Sequence, residues 1–102
     1  MTKIEIPFNE WSKEKLNLCV KEATSRTKKY GDIGDTFIVG SQKYEIDLII
    51  KLPLWFIAQV LYKSEGALNM YEFFQVWDKI HFRKKMELDK EIWYHHFKEI
   101  EG

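Results

Sequence analysis

A small α+β domain, built on a curved mixed sheet or barrel with two to three short helices, is the fold class this sequence predicts. Three observations predict it. Two β-branched and aromatic runs, Thr36 to Val39 and Tyr44 to Ile50, flank the turn Gly40-Ser41-Gln42 and read as a hairpin. Two short stretches with helical spacing follow, Leu54-Ile57-Ala58-Leu61 and Phe73-Val76-Trp77-Ile80. The final run, Glu91 to Ile100, puts Trp93, His95 and Phe97 on one face and Ile92, Tyr94 and His96 on the other, as a strand returning to the sheet would.

Taken in order, Lys3 to Ile6 is expected as a short strand. Ser12 is a good helix N-cap, and the helix it opens is expected to run to about Val20 with Leu16, Cys19 and Val20 toward the core. Glu22 to Lys28 contains the small or β-tolerant Ala23, Thr24, Ser25 and Thr27 and reads as a strand. The loop Tyr30-Gly31-Asp32-Ile33-Gly34-Asp35 ends it. In the hairpin's second strand Tyr44, Ile46, Leu48 and Ile50 alternate and are expected on one face. Pro53 suits the first turn of the next helix, which Gly66 ends, and Asn69 with Glu72 forms a capping-box-like start for the last one.

Composition narrows the function classes. The chain has 102 residues, 45% hydrophobic and 16% aromatic, enough for one core without metals or disulfides. No repeat, linker or low-complexity tract divides it, so residues 1–102 are expected to form one domain. Cys19 is the single cysteine, which rules out an intramolecular disulfide and a paired-thiolate zinc site, and points to a reducing, cytoplasmic setting. The first ten residues lack the basic and then apolar order of a secretion signal, and the apolar stretch Leu52 to Leu61 is too short to span a bilayer, so no membrane association is expected. No cofactor and no obligate protein partner is called for.

Lysine plus arginine equals aspartate plus glutamate, 16 each. Basic residues nevertheless concentrate between Ser12 and Tyr30, where Lys13, Lys15, Lys21, Arg26, Lys28 and Lys29 face only Glu14 and Glu22. A solvated face explains most of them; a patch holding one or a few phosphates is the alternative.

The segment Lys21-Glu22-Ala23-Thr24-Ser25-Arg26 resembles the G-x-K-x-x-T-x-R pattern of the ASCH family, a branch of the PUA-like superfamily. Further blocks agree in order: Tyr30-Gly31 and Gly34-Asp35-Thr36-Phe37, then Tyr44-Glu45-Ile46, Pro53-Leu54, Leu61-Tyr62, Glu65-Gly66, Phe73, Trp77, Ile80-His81, and the closing Trp93, His95 and Phe97. The resemblance implies a PUA-like/ASCH β-barrel and a modified nucleoside or RNA as ligand. Small members of the family deacetylate N4-acetylcytidine with a lysine, a threonine and a distal glutamate, and by position these match Lys21, Thr24 and Glu65. At the family's glycine this chain has Cys19, which is expected to keep ordinary helical dihedrals.

Amide hydrolysis needs a nucleophile, a stabilised oxyanion and a proton for the leaving amine. Thr24 can attack or position a water, a desolvated Lys21 can take a proton or hold the oxyanion, and Glu65 can serve as base and then acid. Arg26, with its planar donor fork, suits binding of a phosphate, a ribose oxygen or a pyrimidine carbonyl, and Ser25 and Trp55 are further substrate-binding candidates. Lys28 and Lys29 are candidates for the RNA backbone, and Arg83-Lys84-Lys85 are read as loop charges. Trp77 and Trp93 follow core periodicity and are expected to pack, with Trp55 the most exposed tryptophan. His81, His95 and His96 do not make a metal site, because His95 and His96 face opposite ways and Cys19 is distant in sequence. The function expected is a small amidohydrolase acting on an acylated pyrimidine nucleoside; the alternative is a non-catalytic PUA-like RNA-binding module.

Overall fold

Asn9, Pro53 and Asn69 decide where the three helices begin. The computed structural model describes residues 2–81 and 85–100, so Arg83 and Lys84 lie outside the described residues. The elements run α1 (Glu10–Asn17), β1 (Ala23–Arg26), β2 (Thr36–Val39), β3 (Gln42–Pro53), α2 (Leu54–Val60), α3 (Met70–Ile80) and β4 (Glu91–Ile100). The N-cap of α1 is Asn9, whose side chain accepts the Ser12 amide at 2.8 Å, so Ser12 sits buried inside the first turn rather than capping it. Pro53 caps α2. In α3 the Asn69 side chain accepts the Glu72 amide at 2.9 Å and the Glu72 carboxylate accepts the Leu68 amide at 2.9 Å, a variant of the reciprocal box.

The four strands form one curled half-barrel in the order β1-β4-β3-β2. Among the described residues every strand pairing is antiparallel, so the sheet is not mixed; the parallel element there is a single bridge from Lys3 to Thr36. The expected first strand is reduced to that bridge, with Ile6 buried beside it. β4 is the last strand in sequence yet lies at the sheet's centre, between β1 and β3.

The sheet register sorts side chains into rows. Thr24, His95 and Ile49 are partners across β1, β4 and β3, as are Arg26, Trp93 and Lys51 one step along, so both rows share one face. Farther down that face Ile46 opposes Phe97, and Phe37, Tyr44, Leu16 and Ile6 complete an aromatic-rich core. Phe97 meets the Phe37 ring edge-on at 5.2 Å and the Tyr44 ring edge-on at 5.4 Å. The opposite face presents Ala23, Tyr94 and Ile92 to Leu54, Ile57 and Ala58 of α2 and Phe73 and Trp77 of α3.

Two expectations fail for definable reasons. The register shifts between Ile46 and Leu48, leaving Asp47 as a bulge whose carboxylate accepts from His96 Nδ1 at 2.6 Å. Beyond it the alternation inverts, so Leu48 and Ile50 are 45% and 42% exposed while Ile49 packs on the aromatic core. Helix α1 also stops early. The Val20 amide bonds the Lys15 carbonyl at 3.1 Å, the Cys19 amide bonds Leu16 at 3.1 Å, and Cys19 has φ 59. This is a Schellman closure with a cysteine at the left-handed position glycine usually fills. Cys19 and Val20 consequently face solvent instead of the core.

Candidate functional site

Lys21 follows that closure directly, and the sharp reversal at Cys19 turns the chain from α1 into β1 with the lysine side chain pointing inward. Its backbone neighbours are fixed from across the fold: the Ser64 carbonyl accepts both the Glu22 amide at 2.6 Å and the Ala23 amide at 2.9 Å. Ser64 is itself held, since its hydroxyl donates to the Leu61 carbonyl at 2.7 Å and lies 2.6 Å from Tyr94 Oη, which must then be the donor. Burial pushes the Tyr94 hydroxyl up to about 12, so it remains a donor at any ordinary pH.

This clasp seats Glu65 over Lys21. Lys21 Nζ donates to the Glu65 carbonyl oxygen at 2.9 Å and stands 3.6 Å from its Oε1, while Ser25 Oγ donates to Oε2 at 2.7 Å. Both charged side chains are buried, at 3% and 7% exposure. Gly66 makes the approach possible: it has φ +96, and a Cβ there would lie 3.0 Å from the Lys15 Cβ and 3.3 Å from the Lys21 Cβ. Burial pushes the Lys21 ammonium below the usual lysine value; the Glu65 carboxylate opposes that shift and the Arg26 charge adds to it.

Thr24 and Arg26 share one face, as their spacing predicts. Arg26 Nε donates to Thr24 Oγ1 at 3.1 Å, and a terminal nitrogen donates to the Pro7 carbonyl at 2.5 Å. The guanidinium lies over the Phe8 and Tyr30 rings at 5.2 and 5.5 Å. Beneath Thr24, His95 is wholly buried. Its Nε2 accepts the Tyr30 amide at 3.1 Å, so Nδ1 carries the proton and donates to the Thr24 carbonyl at 3.3 Å. A neutral imidazole thereby fixes the backbone on which the threonine stands.

These groups floor a cleft of about 470 Å³ that opens along the free edge of β1. Phe8 and Trp11 form one wall, and Phe73, Val76, Trp77 and Ile80 of α3 form the other. His81 stacks on Trp77 with ring centroids 4.2 Å apart and lines the same wall. Polar floor and flat aromatic walls suit a small planar ligand with hydrogen-bonding edges. Among the described residues no group of three His, Cys, Asp or Glu side chains gathers to hold a metal, and no helix is long and apolar enough to cross a membrane.

The structure therefore brings together Lys21, Thr24, Ser25, Arg26 and Glu65. Ser25, expected to meet substrate, orients the Glu65 carboxylate. Trp55 is not in the cleft: it lies on α2, 39% exposed, with its ring against Phe56. Lys28 and Lys29 are exposed and do not line the cleft; Lys29 pairs with Asp32 at 2.6 Å. Sequence reasoning missed Phe8, Tyr30 and the lining role of Trp77. Their aromatic character was visible, but Phe8 and Trp77 meet β1 through contacts distant in sequence, and Tyr30, four residues past β1, lies in a loop whose return over Arg26 no local signal shows.

No family model and no curated protein matches the chain. Among solved structures it is similar to the crystal structure of an ASCH domain from Lactobacillus crispatus JV V101, with a TM-score of 0.67 and 13% identity over 96% of this chain and 78% of that one. The half-barrel with its three helices is thus an ASCH-domain fold.

Proposed function

We propose that this ASCH-fold protein is a small amidohydrolase that removes the acyl group from an N4-acylated cytidine such as N4-acetylcytidine. The observation that carries the reading is the buried Lys21–Glu65 pair, 3.6 Å apart at the floor of an aromatic-walled cleft that also contains Thr24. A desolvated lysine is costly to keep charged, and such groups cluster where proton transfer is needed.

In this reading the pyrimidine ring lies between the aromatic walls, and Arg26 holds a ring carbonyl or ribose oxygen. The Thr24 hydroxyl, already accepting from Arg26, attacks the acyl carbon as its proton passes to neutral Lys21. The carbon–N4 bond breaks, and Lys21 returns the proton to N4 of the departing cytosine. Water, deprotonated by Glu65, then cleaves the threonine ester and releases the carboxylic acid. Each proton taken is returned, so the enzyme ends unchanged.

The test is to incubate the protein with N4-acetylcytidine and follow free cytidine by chromatography, beside Lys21→Ala and Thr24→Ala variants. Release by the parent and by neither variant is the expected result. Absence of release by folded parent protein at high concentration overturns the hydrolase reading.

A further inference from the structure

The cleft has a chemical direction. Lys21, Thr24 and Glu65 gather at one end of it. Strand β1 leads away from them: at about 3.3 Å per residue, Arg26 and Thr27 stand roughly 7 and 10 Å beyond Thr24. Helix α3 runs the same way, since its N-cap Asn69 follows Glu65 closely in sequence and its C-cap is His81. Thr27, Trp77 and His81 line both the cleft and a small hollow that adjoins it, which places His81 at the end opposite the reactive groups.

His81 is half-buried there and held by three contacts. Its ring stacks on the Trp77 indole with centroids 4.2 Å and planes 29° apart. The Trp77 carbonyl accepts both the His81 backbone amide and its Nδ1, each at 3.0 Å. A carbonyl oxygen only accepts, so Nδ1 carries the proton and the neutral ring presents Nε2 as an acceptor. Among the described residues nothing donates to that nitrogen.

Pyrimidine geometry dictates what reaches this end. In a cytosine ring the exocyclic N4 is borne by C4, and a sugar is borne by N1, directly across the ring and beside the C2 carbonyl. With the acyl–N4 bond at Thr24, the C2 carbonyl lies toward Arg26 and the sugar is carried to Thr27 and His81. Sugar hydroxyls can donate, and Nε2 accepts.

We propose that His81 is a specificity-determining residue whose Nε2 accepts a hydrogen bond from a ribose hydroxyl, so that the cleft selects a pyrimidine nucleoside over the free base. The proposal rests on the reading of the cleft as a cytidine site and divides its polar duties, Arg26 taking the ring carbonyl and His81 the sugar.

The experiment is isothermal titration calorimetry of the full chain with cytidine and with 1-methylcytosine, which has a substituent on N1 but no hydroxyl. Parent protein is expected to bind cytidine roughly 3- to 10-fold more tightly, the worth of one hydrogen bond between neutral groups. His81→Phe keeps a ring on Trp77 and removes the nitrogens. Once circular dichroism shows it folded, it is expected to erase that ratio and to leave the affinity for 1-methylcytosine unchanged. Equal affinity of the parent for the two ligands overturns the proposal whether or not the variant folds. So does a ratio that survives in folded His81→Phe, or an absence of cytidine binding. Cytidine release from N4-acetylcytidine is read separately. Its absence beside a cytidine preference that His81→Phe erases removes the hydrolysis alone, and release without that preference removes the sugar contact alone.

Discussion

Lys21 Nζ meets Glu65 twice, at the backbone carbonyl oxygen 2.9 Å away and at the carboxylate 3.6 Å away. The first contact survives any change of the Glu65 side chain, whereas the second sets how readily the ammonium forms. Geometry and charge at this lysine are therefore separable by mutation.

Glu65→Gln removes the influence that raises the Lys21 pKa and leaves burial and Arg26, which lower it. The neutral amine then persists to lower pH, so the acid limb of the pH profile for the single-turnover burst of cytidine, the step that does not need Glu65 as base, is expected to move downward. At pH values where Lys21 is charged, stability falls too, by about 3 kcal/mol, because a buried cation loses its counter-charge. An acid limb that stays in place would show that Lys21 is not the titrating base.

Cys19→Gly is expected to stabilise the protein. A β-carbon at φ 59 costs roughly 1–2 kcal/mol, part of which returns as extra freedom of glycine in the unfolded chain. A net gain of about 1 kcal/mol corresponds to a rise in Tm of roughly 4–8 °C by thermal melting. Cys19→Val at the same φ is expected to melt lower than the parent.

Gly66→Ala acts in the opposite direction. The new methyl would sit 3.0 Å from the Lys15 Cβ at a φ of +96, for a cost of roughly 1–3 kcal/mol. Because the same turn carries Glu65, cytidine release at a temperature where the variant is fully folded is expected to fall as well.

His95 gives the fold a pH limit. Burial lowers its pKa from the ordinary 6.5, with Arg26 contributing, against the opposing influence of its backbone hydrogen bonds and Glu65. Below 6.5 the unfolded chain binds a proton that the folded one resists, so the stability is complete above 6.5 and is lost as pH falls through the lowered folded value. Urea midpoints measured at pH 7.5 and about 5 are expected to differ more for the parent than for His95→Gln.

Much of this was legible in the chain itself. The Asn69 and Glu72 cap, the hairpin around Gly40 and the alternation of β4 are local signals, and each element formed where its own residues require. Lys21, Thr24 and Arg26 were readable through the resemblance of their segment to the ASCH pattern; spacing alone adds that Thr24 and Arg26 share one face of a strand. The bulge at Asp47 was not, since Leu48-Ile49-Ile50 is apolar in either phase and cannot reveal which phase is buried. Cys19 concealed a backbone reversal because cysteine carries no preference for it, and only the hydrogen bonds of the closure expose the left-handed turn. Ser25 lines the cleft, and its bond to Glu65 was not legible because the two lie 40 residues apart. Trp93 had the periodicity of a core residue; the curl of the sheet leaves its end of the face uncovered.

The strand order carries a consequence for how the protein comes into being. Thr24 and Arg26 sit on β1, whose only sheet partner among the described residues is β4, and the Thr24–His95 contact closes a separation of 71 residues. A nascent chain emerging from the ribosome can form α1 and the hairpin early, but β1 has nothing to pair with until the final strand is free to insert. The cleft is accordingly among the last parts to assemble, and interrupted synthesis would yield a hairpin with exposed apolar edges and no site.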